Sequence, residues 1–215
     1  MGRFLDFEGV DAVVFDCDGV LVDSEPVSEL AWRAALGLFG VELHEPFSRW
    51  VGTTDEMIAS HYCSQADVDS ARLLDEAESQ FRTALEIHGV EVFADAADAL
   101  AHTAQAGMGG AVATNSQRWR LDALLQAAGL AEVVAVTVTS DDVRLPKPAQ
   151  DLYLLAADIL GVEPSRCLVV EDSPTGITSA RAAGMRVVAI DRGVFDQAEL
   201  APATRVVESL AVISS

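Results

Sequence analysis

The chain has almost no lysine. Of its 14 basic residues 13 are arginines, and the one lysine is Lys147. Basic charge of any kind is scarce beside 34 acidic residues, so the formal net charge is −20. A field of that sign repels nucleic acid and anionic lipid, and neither is expected as a partner. It repels phosphate esters too, so any phosphate site here must carry its own local positive charge. Cysteine is sparse: Cys17, Cys63 and Cys167 are an odd number without metal-type spacing, which implies buried free thiols. The histidines (His44, His61, His88, His102) are scattered with no pair at ligand spacing, and ordinary surface or core roles are expected of them. No apolar run approaches the roughly 18 residues that span a bilayer. Met1-Gly2-Arg3-Phe4 carries no signal-type apolar stretch, and Asp6 stands where a myristoylation signal needs Ser or Thr. A cytoplasmic location is expected. Internal repeats, linker runs and low-complexity segments are also missing.

What is present is an ordinary globular composition: 215 residues, 50% hydrophobic and 22% charged, enough for one large domain or two small ones. Short apolar runs alternate with longer amphipathic stretches, the pattern of an α/β protein with a mostly parallel sheet. Strands are predicted at Ala12–Phe15, Gly110–Thr114, Val134–Val138, Cys167–Val170 and Val187–Ile190, with a weaker one at Thr204–Val207. Helices are predicted over Ala94–Ala106, Arg118–Ala128, Ala149–Leu160 and Thr175–Ala183. Gly107, Gly129, Gly161 and Gly184 each stand just past one of them, where a helix C-terminus wants a left-handed residue. Between Glu25 and Gly89 no strand is convincing. Helical periodicity runs through Leu30, Ala34, Ala35 and Leu38, then Met57, Ile58 and His61, then Leu73, Leu74, Ala77 and Phe81. A helical module inserted after the first strand is the expectation.

Asp16-Cys17-Asp18-Gly19 follows the run Ala12–Phe15. In an open parallel sheet ligands bind beyond the carboxyl ends of the strands, so a carboxylate there points into a site. An Asp-x-Asp pair is weak by itself; Asp67 and Asp69 form another, which reads as a solvated helix start. Two more predicted strand ends carry matching chemistry. Thr114-Asn115 offers a hydroxyl, an amide and backbone N–H groups to a phosphate, and Glu171-Asp172 adds two hard oxygen ligands of the kind magnesium takes. Each has an ordinary alternative: Asp172 or Ser173 could simply cap the helix that begins near Pro174. Lys147, between Pro146 and Pro148, is either a stray surface residue or the compact point charge that a crowded phosphate and carboxylate site calls for.

Four segments, Asp16-Cys17-Asp18-Gly19-Val20-Leu21-Val22-Asp23-Ser24-Glu25, Thr114-Asn115-Ser116, Lys147-Pro148 and Glu171-Asp172-Ser173-Pro174-Thr175-Gly176-Ile177, resemble the four motifs of the haloacid dehalogenase superfamily in spacing and order. The resemblance covers essentially the whole chain. It is nearest to the branch of β-phosphoglucomutases and sugar-phosphate phosphatases, whose helical cap is inserted after the first motif. The fold this implies is a Rossmann-like core of residues 1–24 and 90–215 with a helical cap domain of residues 25–89. The roles it implies make Asp16 the nucleophile that becomes a phospho-aspartate and Asp18 the acid and base. Thr114, Asn115 and Lys147 would hold the phosphoryl oxygens, with Lys147 also steadying Asp16. Mg²⁺ would be held by Asp16, the backbone carbonyl of Asp18 and Asp172, with Glu171 binding it directly or through water. Glu25 would sit near the cap hinge, and Arg49 and Thr53 in the cap could reach substrate. Trp50 reads equally as cap core.

The departures separate the branches. The mutases place a histidine where this chain has Ser28 and an arginine where it has Asp55, so transfer to water is favoured over transfer to a second sugar hydroxyl. Pro146 replaces a glycine common before the lysine. Asp18 argues for phosphate chemistry, because dehalogenases need neither that residue nor a metal. The expected activity is hydrolysis of a small phosphorylated metabolite, a phosphosugar or sugar-alcohol phosphate, by a monomer. A sugar phosphomutase is the alternative. A phospho-accepting signalling domain, which also gathers aspartates, Thr and Lys around magnesium, is another, but such domains are shorter and lack the helical insertion.

Overall fold

A computed structural model describes residues 8–212. The readings made at Met1–Phe4 and Asp6 lie outside them. In chain order the elements are β1 (Ala12–Phe15), β2 (Val22–Asp23), α1 (Glu25–Leu38), α2 (Asp55–Tyr62), α3 (Ser70–His88), β3 (Glu91–Val92), α4 (Ala94–Gln105), β4 (Gly109–Ala113), α5 (Arg118–Ala127), β5 (Val136–Val138), α6 (Asp151–Leu160), β6 (Cys167–Glu171), α7 (Pro174–Ala182), β7 (Arg186–Ile190), α8 (Gln197–Leu200) and β8 (Arg205–Val207). Two compact units emerge: one holds the chain up to Asp23 and from Val92 onward, the other spans Ser24–Glu91.

The first unit is a six-stranded parallel sheet in the order β5-β4-β1-β6-β7-β8, flanked by helices. β1 lies inside the sheet and all four of its residues are buried. Burying each large side chain stabilises by about 1.5–3 kcal/mol, which makes β1 a rigid mount for whatever follows it. Its register matters for the site. Phe15 is level with Val112 on β4 and with Val170 on β6, so the residues just beyond these three strands converge at one edge.

Predicted boundaries shift where local bonds compete. The strand expected from Val134 starts at Val136, because Val133 and Val134 donate to Leu130 O and continue a helical turn. The helix expected from Ala149 starts at Asp151; Ala149 N is drawn into a turn on Pro146 O, and Ala149 O accepts from Ser179 Oγ. Gly161 closes α6 at φ 67° and ψ 30°, the left-handed conformation that costs a glycine little. The paired strands β2 and β3, where the chain leaves and re-enters the first unit, are too short to leave a periodic signal.

The second unit is helical, built on α1, α2 and α3. The periodicity of α1 is as expected but its buried face is rotated: Leu30 and Leu38 are exposed, while Val27, Ala31, Trp32, Ala35 and Leu36 are buried. Trp32, the largest side chain available, decides that face. Met57 and His61 on α2 are likewise exposed, against expectation, and Ile58, Ala59 and Tyr62 face inward. Asp69 is the N-cap of α3 and accepts from Arg72 N, as the solvated-start reading anticipates. Of the three thiols Cys17 and Cys167 are buried; Cys63, near the end of α2, is only half-buried.

Candidate active site

Asp16 is the first residue beyond β1. Its N–H donates to Val170 O (2.9 Å), which carries the sheet's register into the site. From β6, Glu171 and Asp172 arrive beside it, and all three side chains are buried. One carboxylate oxygen from each lies within 4.8 Å of the others.

Lys147 is the fixed cation of this cluster. Only 6% exposed, it donates from Nζ to Asp16 Oδ1 and to Glu171 Oε1, both at 2.7 Å, and Nζ lies 4.8 Å from the centre of the Tyr153 ring. The stray-surface reading of Lys147 therefore fails. Asn115 holds the lysine's backbone at both ends: Lys147 N donates to Asn115 Oδ1 (2.8 Å) and Asn115 Nδ2 donates to Lys147 O (3.2 Å). The Asn115 amide, expected to contact phosphate, is engaged with the backbone of Lys147 and aims it.

Glu171, expected to reach a metal directly or through water, is heavily engaged. Its Oε1 accepts from Lys147 Nζ and from Tyr153 Oη (2.8 Å); its Oε2 accepts from Asp172 N, Ser173 N and Ser173 Oγ. These donors fill both oxygens, so Glu171 is an anchor for Lys147 and the β6–α7 loop more than a free ligand. Room for that anchor comes from Gly176, where a Cβ would fall 1.6 Å from Glu171 Oε1. Ser173, not Asp172, is the N-cap of α7. Asp172 is the opposite case: its carboxylate accepts no hydrogen bond from the described residues. It packs against Gly19, whose φ is +76° and where a Cβ would lie 1.9 Å from Asp172 Oδ2.

Asp18 Oδ2 accepts from Ser116 Oγ (2.9 Å). Thr114 is buried beyond β4; its N–H donates to Val138 O and its hydroxyl oxygen accepts from Ser116 N, which leaves the hydroxyl proton for another acceptor. Within the helical unit Glu25 opens α1, Arg49 is exposed and paired with Glu45, and Thr53 Oγ1 donates to Trp50 O (2.6 Å). Trp50 is buried among the rings of His61 and Tyr62, a core residue of that unit. Ser28 is buried with its hydroxyl on Ser24 O, and Asp55 accepts from Trp32 Nε1; both are engaged inside the unit.

The charges are out of balance. Burial raises Asp16 to about 7, with Glu171 and Asp18 pushing the same way and Lys147 pulling back. Burial raises Asp172 well above the usual carboxylate range, reinforced by Glu171 and Asp16. Burial works against Lys147, yet Asp16 and Glu171 hold its pKa well above that of a free lysine. Burial also opposes the Glu171 charge, but Lys147 and the hydrogen bonds from Ser173 and Tyr153 together outweigh it and keep Glu171 low. Asp16, Glu171 and Asp172 thus crowd together with Lys147 paired to the first two, and the least satisfied, Asp172, accepts no hydrogen bond from the described residues; the donor set fits a hard cation with oxygen ligands.

Two participants escape sequence reading. Tyr153 is fully buried on α6, and a buried tyrosine hydroxyl needs a partner, but nothing in the local pattern says that the partner is Glu171. Ser116 stands in the second motif without a readable role until Asp18 is seen beside it.

The model of the haloacid dehalogenase-like hydrolases matches residues 10–184. Fructose-1-phosphate phosphatase YqaB of Escherichia coli is 34% identical over 185 residues, 85% of this chain and 97% of that protein. Hexitol phosphatase A of the same organism is 34% identical over 183 residues, 83% and 82% of the two chains. The crystal structure of CbbY from Rhodobacter sphaeroides in complex with phosphate superposes with a TM-score of 0.83 at 27% identity, over 94% of this chain and 95% of that one. With the family model spanning most of its length, including every residue gathered around Lys147, the chain belongs to the haloacid dehalogenase-like hydrolases.

Proposed function

We propose that this phosphoric monoester hydrolase releases phosphate from a small phosphorylated metabolite, a sugar or sugar-alcohol phosphate, through a phospho-aspartate on Asp16 and with Mg²⁺. The observation that carries the reading is the buried pair Asp16 and Asp172 beyond the adjacent strands β1 and β6, with Lys147 on Asp16 and Asp18 held by Ser116 beside them. The names of the relatives, a fructose-1-phosphate phosphatase and a hexitol phosphatase, support the substrate class.

The geometry supports this chemistry. Lys147 holds Asp16 Oδ1 and so orients the carboxylate for in-line attack on phosphorus, which expels the alcohol of the ester. Asp18, oriented by Ser116, donates the proton that the leaving oxygen needs. It then takes a proton from the water that attacks phospho-Asp16, which returns the carboxylate and releases inorganic phosphate. The Thr114 hydroxyl and the Lys147 ammonium are the donors available to phosphoryl oxygens. Splitting the transfer through a covalent intermediate eases the difficult step, and the remaining task is positioning and charge neutralisation. Asp16, the Asp18 carbonyl and Asp172 would hold Mg²⁺, which when bound neutralises phosphoryl charge. Transfer to water, not to a second sugar, is supported by Ser28 and Asp55, which are engaged with Ser24 and Trp32.

The test is phosphate release from a panel of sugar, sugar-alcohol and short-chain acid phosphates with and without Mg²⁺. Asp16→Asn should abolish turnover while the protein stays folded. Turnover intact in that variant would sink the proposal, and product that appears only with a bisphosphorylated activator would turn it toward a mutase.

A further inference from the structure

Arg192 lies outside every motif, two residues past β7, yet its guanidinium reaches the loop that carries Asp18. Nε donates to Gly19 O (3.3 Å) and Nη2 to Val20 O (3.4 Å). The same group pairs with Asp95, Nη2 to Oδ1 at 2.9 Å and Nη1 to Oδ2 at 3.3 Å, and lies 3.9 Å over the ring of Phe93. Asp95 is in turn fixed by Leu210 N (2.8 Å) and Ser209 Oγ (3.2 Å). Burial works against the Asp95 charge, but these hydrogen bonds and the Arg192 charge together keep its pKa below the usual range.

The loop that Arg192 grips is closed on itself. Leu21 N and Val22 N donate to Cys17 O, and Gly19 N donates to Val22 O. The Gly19 and Val20 carbonyls are directed to the guanidinium instead. Gly19 follows Asp18 directly, and its Cα faces Asp172 so closely that a Cβ would overlap Oδ2. Movement of this main chain is therefore transmitted to Asp18 through one peptide and to Asp172 through contact.

We propose that Arg192 is a positioning residue for phosphoryl transfer: it clamps the Asp18–Gly19 main chain against Asp172 from outside the loop, braced by Asp95, Phe93 and the Ser209–Leu210 segment. This rests on the reading of Asp16, Asp18 and Asp172 given above. The geometry calls for arginine. Its planar fork reaches two carbonyls and a carboxylate at once while its face rests on an aromatic ring, and a lysine point charge cannot do all three.

The experiment compares wild type with Arg192→Met, Arg192→Lys, Asp16→Asn and, as a matched control, Arg166→Met. Arg166 also forms an arginine–aspartate pair, with Asp11, but ahead of β1 and β6, at the opposite ends of the strands. Arg192→Met keeps an apolar stem over Phe93 and removes the fork. Because a displacement of about 1 Å at reacting groups can cost roughly 100-fold, kcat should fall by about tenfold or more. Half-saturating Mg²⁺ should rise, and substrate KM should stay within about twofold. Arg192→Lys should recover part of kcat and Arg166→Met should match wild type; a merely structural loss would lower the melting temperature without this split. Wild-type kcat and Mg²⁺ response in folded Arg192→Met overturn the inference. If that variant does not fold, Arg192→Lys decides, and wild-type kcat there overturns it equally. Asp16→Asn separates the two readings: activity surviving in it removes the site assignment, whereas its loss beside an unaffected Arg192→Met removes only the clamp.

Discussion

Binding of Mg²⁺ should weaken about tenfold between pH 8 and pH 6, because Asp16 must lose its proton to become a ligand. In the metal-free site burial holds Asp16 at about 7. With that value it is about nine-tenths ionised at pH 8 and about one-tenth at pH 6, so the apparent affinity changes about tenfold, or about 1.4 kcal/mol. Lys147 stays charged and Glu171 ionised throughout, since their shifts lie above and below this window. Asp172 is also shifted upward, chiefly by burial, so its proton loss carries the same sign, and the figures here count Asp16 alone. The stability of the metal-free protein carries the same signature. A folded pKa above the unfolded value means that the folded state binds more protons, so stability falls as pH rises from 3.8 toward 7. The gap between about 7 and 3.8 corresponds to about 4 kcal/mol at most from Asp16 alone. Calorimetric titration with MgCl₂ at both pH values, in buffers of different protonation enthalpy, should show nearly one proton released per ion at pH 6 and about a tenth as many at pH 8. Affinity equal within twofold and no proton release at pH 6 would refute the reasoning.

Lys147→Met removes the one cation held between Asp16 and Glu171. Breaking a buried pair costs about 3–5 kcal/mol, so the urea midpoint at pH 8 should fall sharply, by less at pH 5, and turnover should vanish; an unchanged midpoint would contradict the buried pair. Gly19→Ala meets both a φ of +76° and the Asp172 carboxylate. Its Mg²⁺-dependent turnover should drop by about 100-fold or more, and wild-type kinetics would mean that the loop and Asp172 are not in contact. Tyr153→Phe deletes only the hydroxyl that reaches Glu171. Loss of a hydrogen bond to a charged group costs about 1.5–3 kcal/mol, readable as a lower melting temperature with Glu171 still held by Lys147, and a melting temperature equal to wild type would show that bond to be idle.

The site was more legible than its supports, for a physical reason. Asp16, Thr114 and Glu171 follow short apolar runs, and a parallel sheet delivers the residue after each strand to one edge, so chain order alone announces their convergence. The partners that aim them leave no such trace. Asn115 and Lys147 are 32 residues apart, and Arg192 is 173 from Gly19; those pairings exist only once the chain is folded. α1 shows the same limit in the helical unit, where a 3.6-residue period is satisfied by either of two neighbouring faces until Trp32 selects one.

A chain of net charge −20 must bring positive charge to a phosphate, and Lys147 is expected to share that task with a metal ion and the N-terminus of the following helix. Lys147 does reach the site, but its ammonium is already divided between Asp16 and Glu171 at 2.7 Å each, with the neighbouring Asp172 still to be balanced. One ammonium cannot both neutralise that cluster and attract a phosphate dianion. The buried Asp172 carboxylate accepts no hydrogen bond from the described residues, and it marks where further positive charge is needed. That deficit is the physical ground for expecting magnesium, and the pH dependence of its binding follows from the same unbalanced carboxylates.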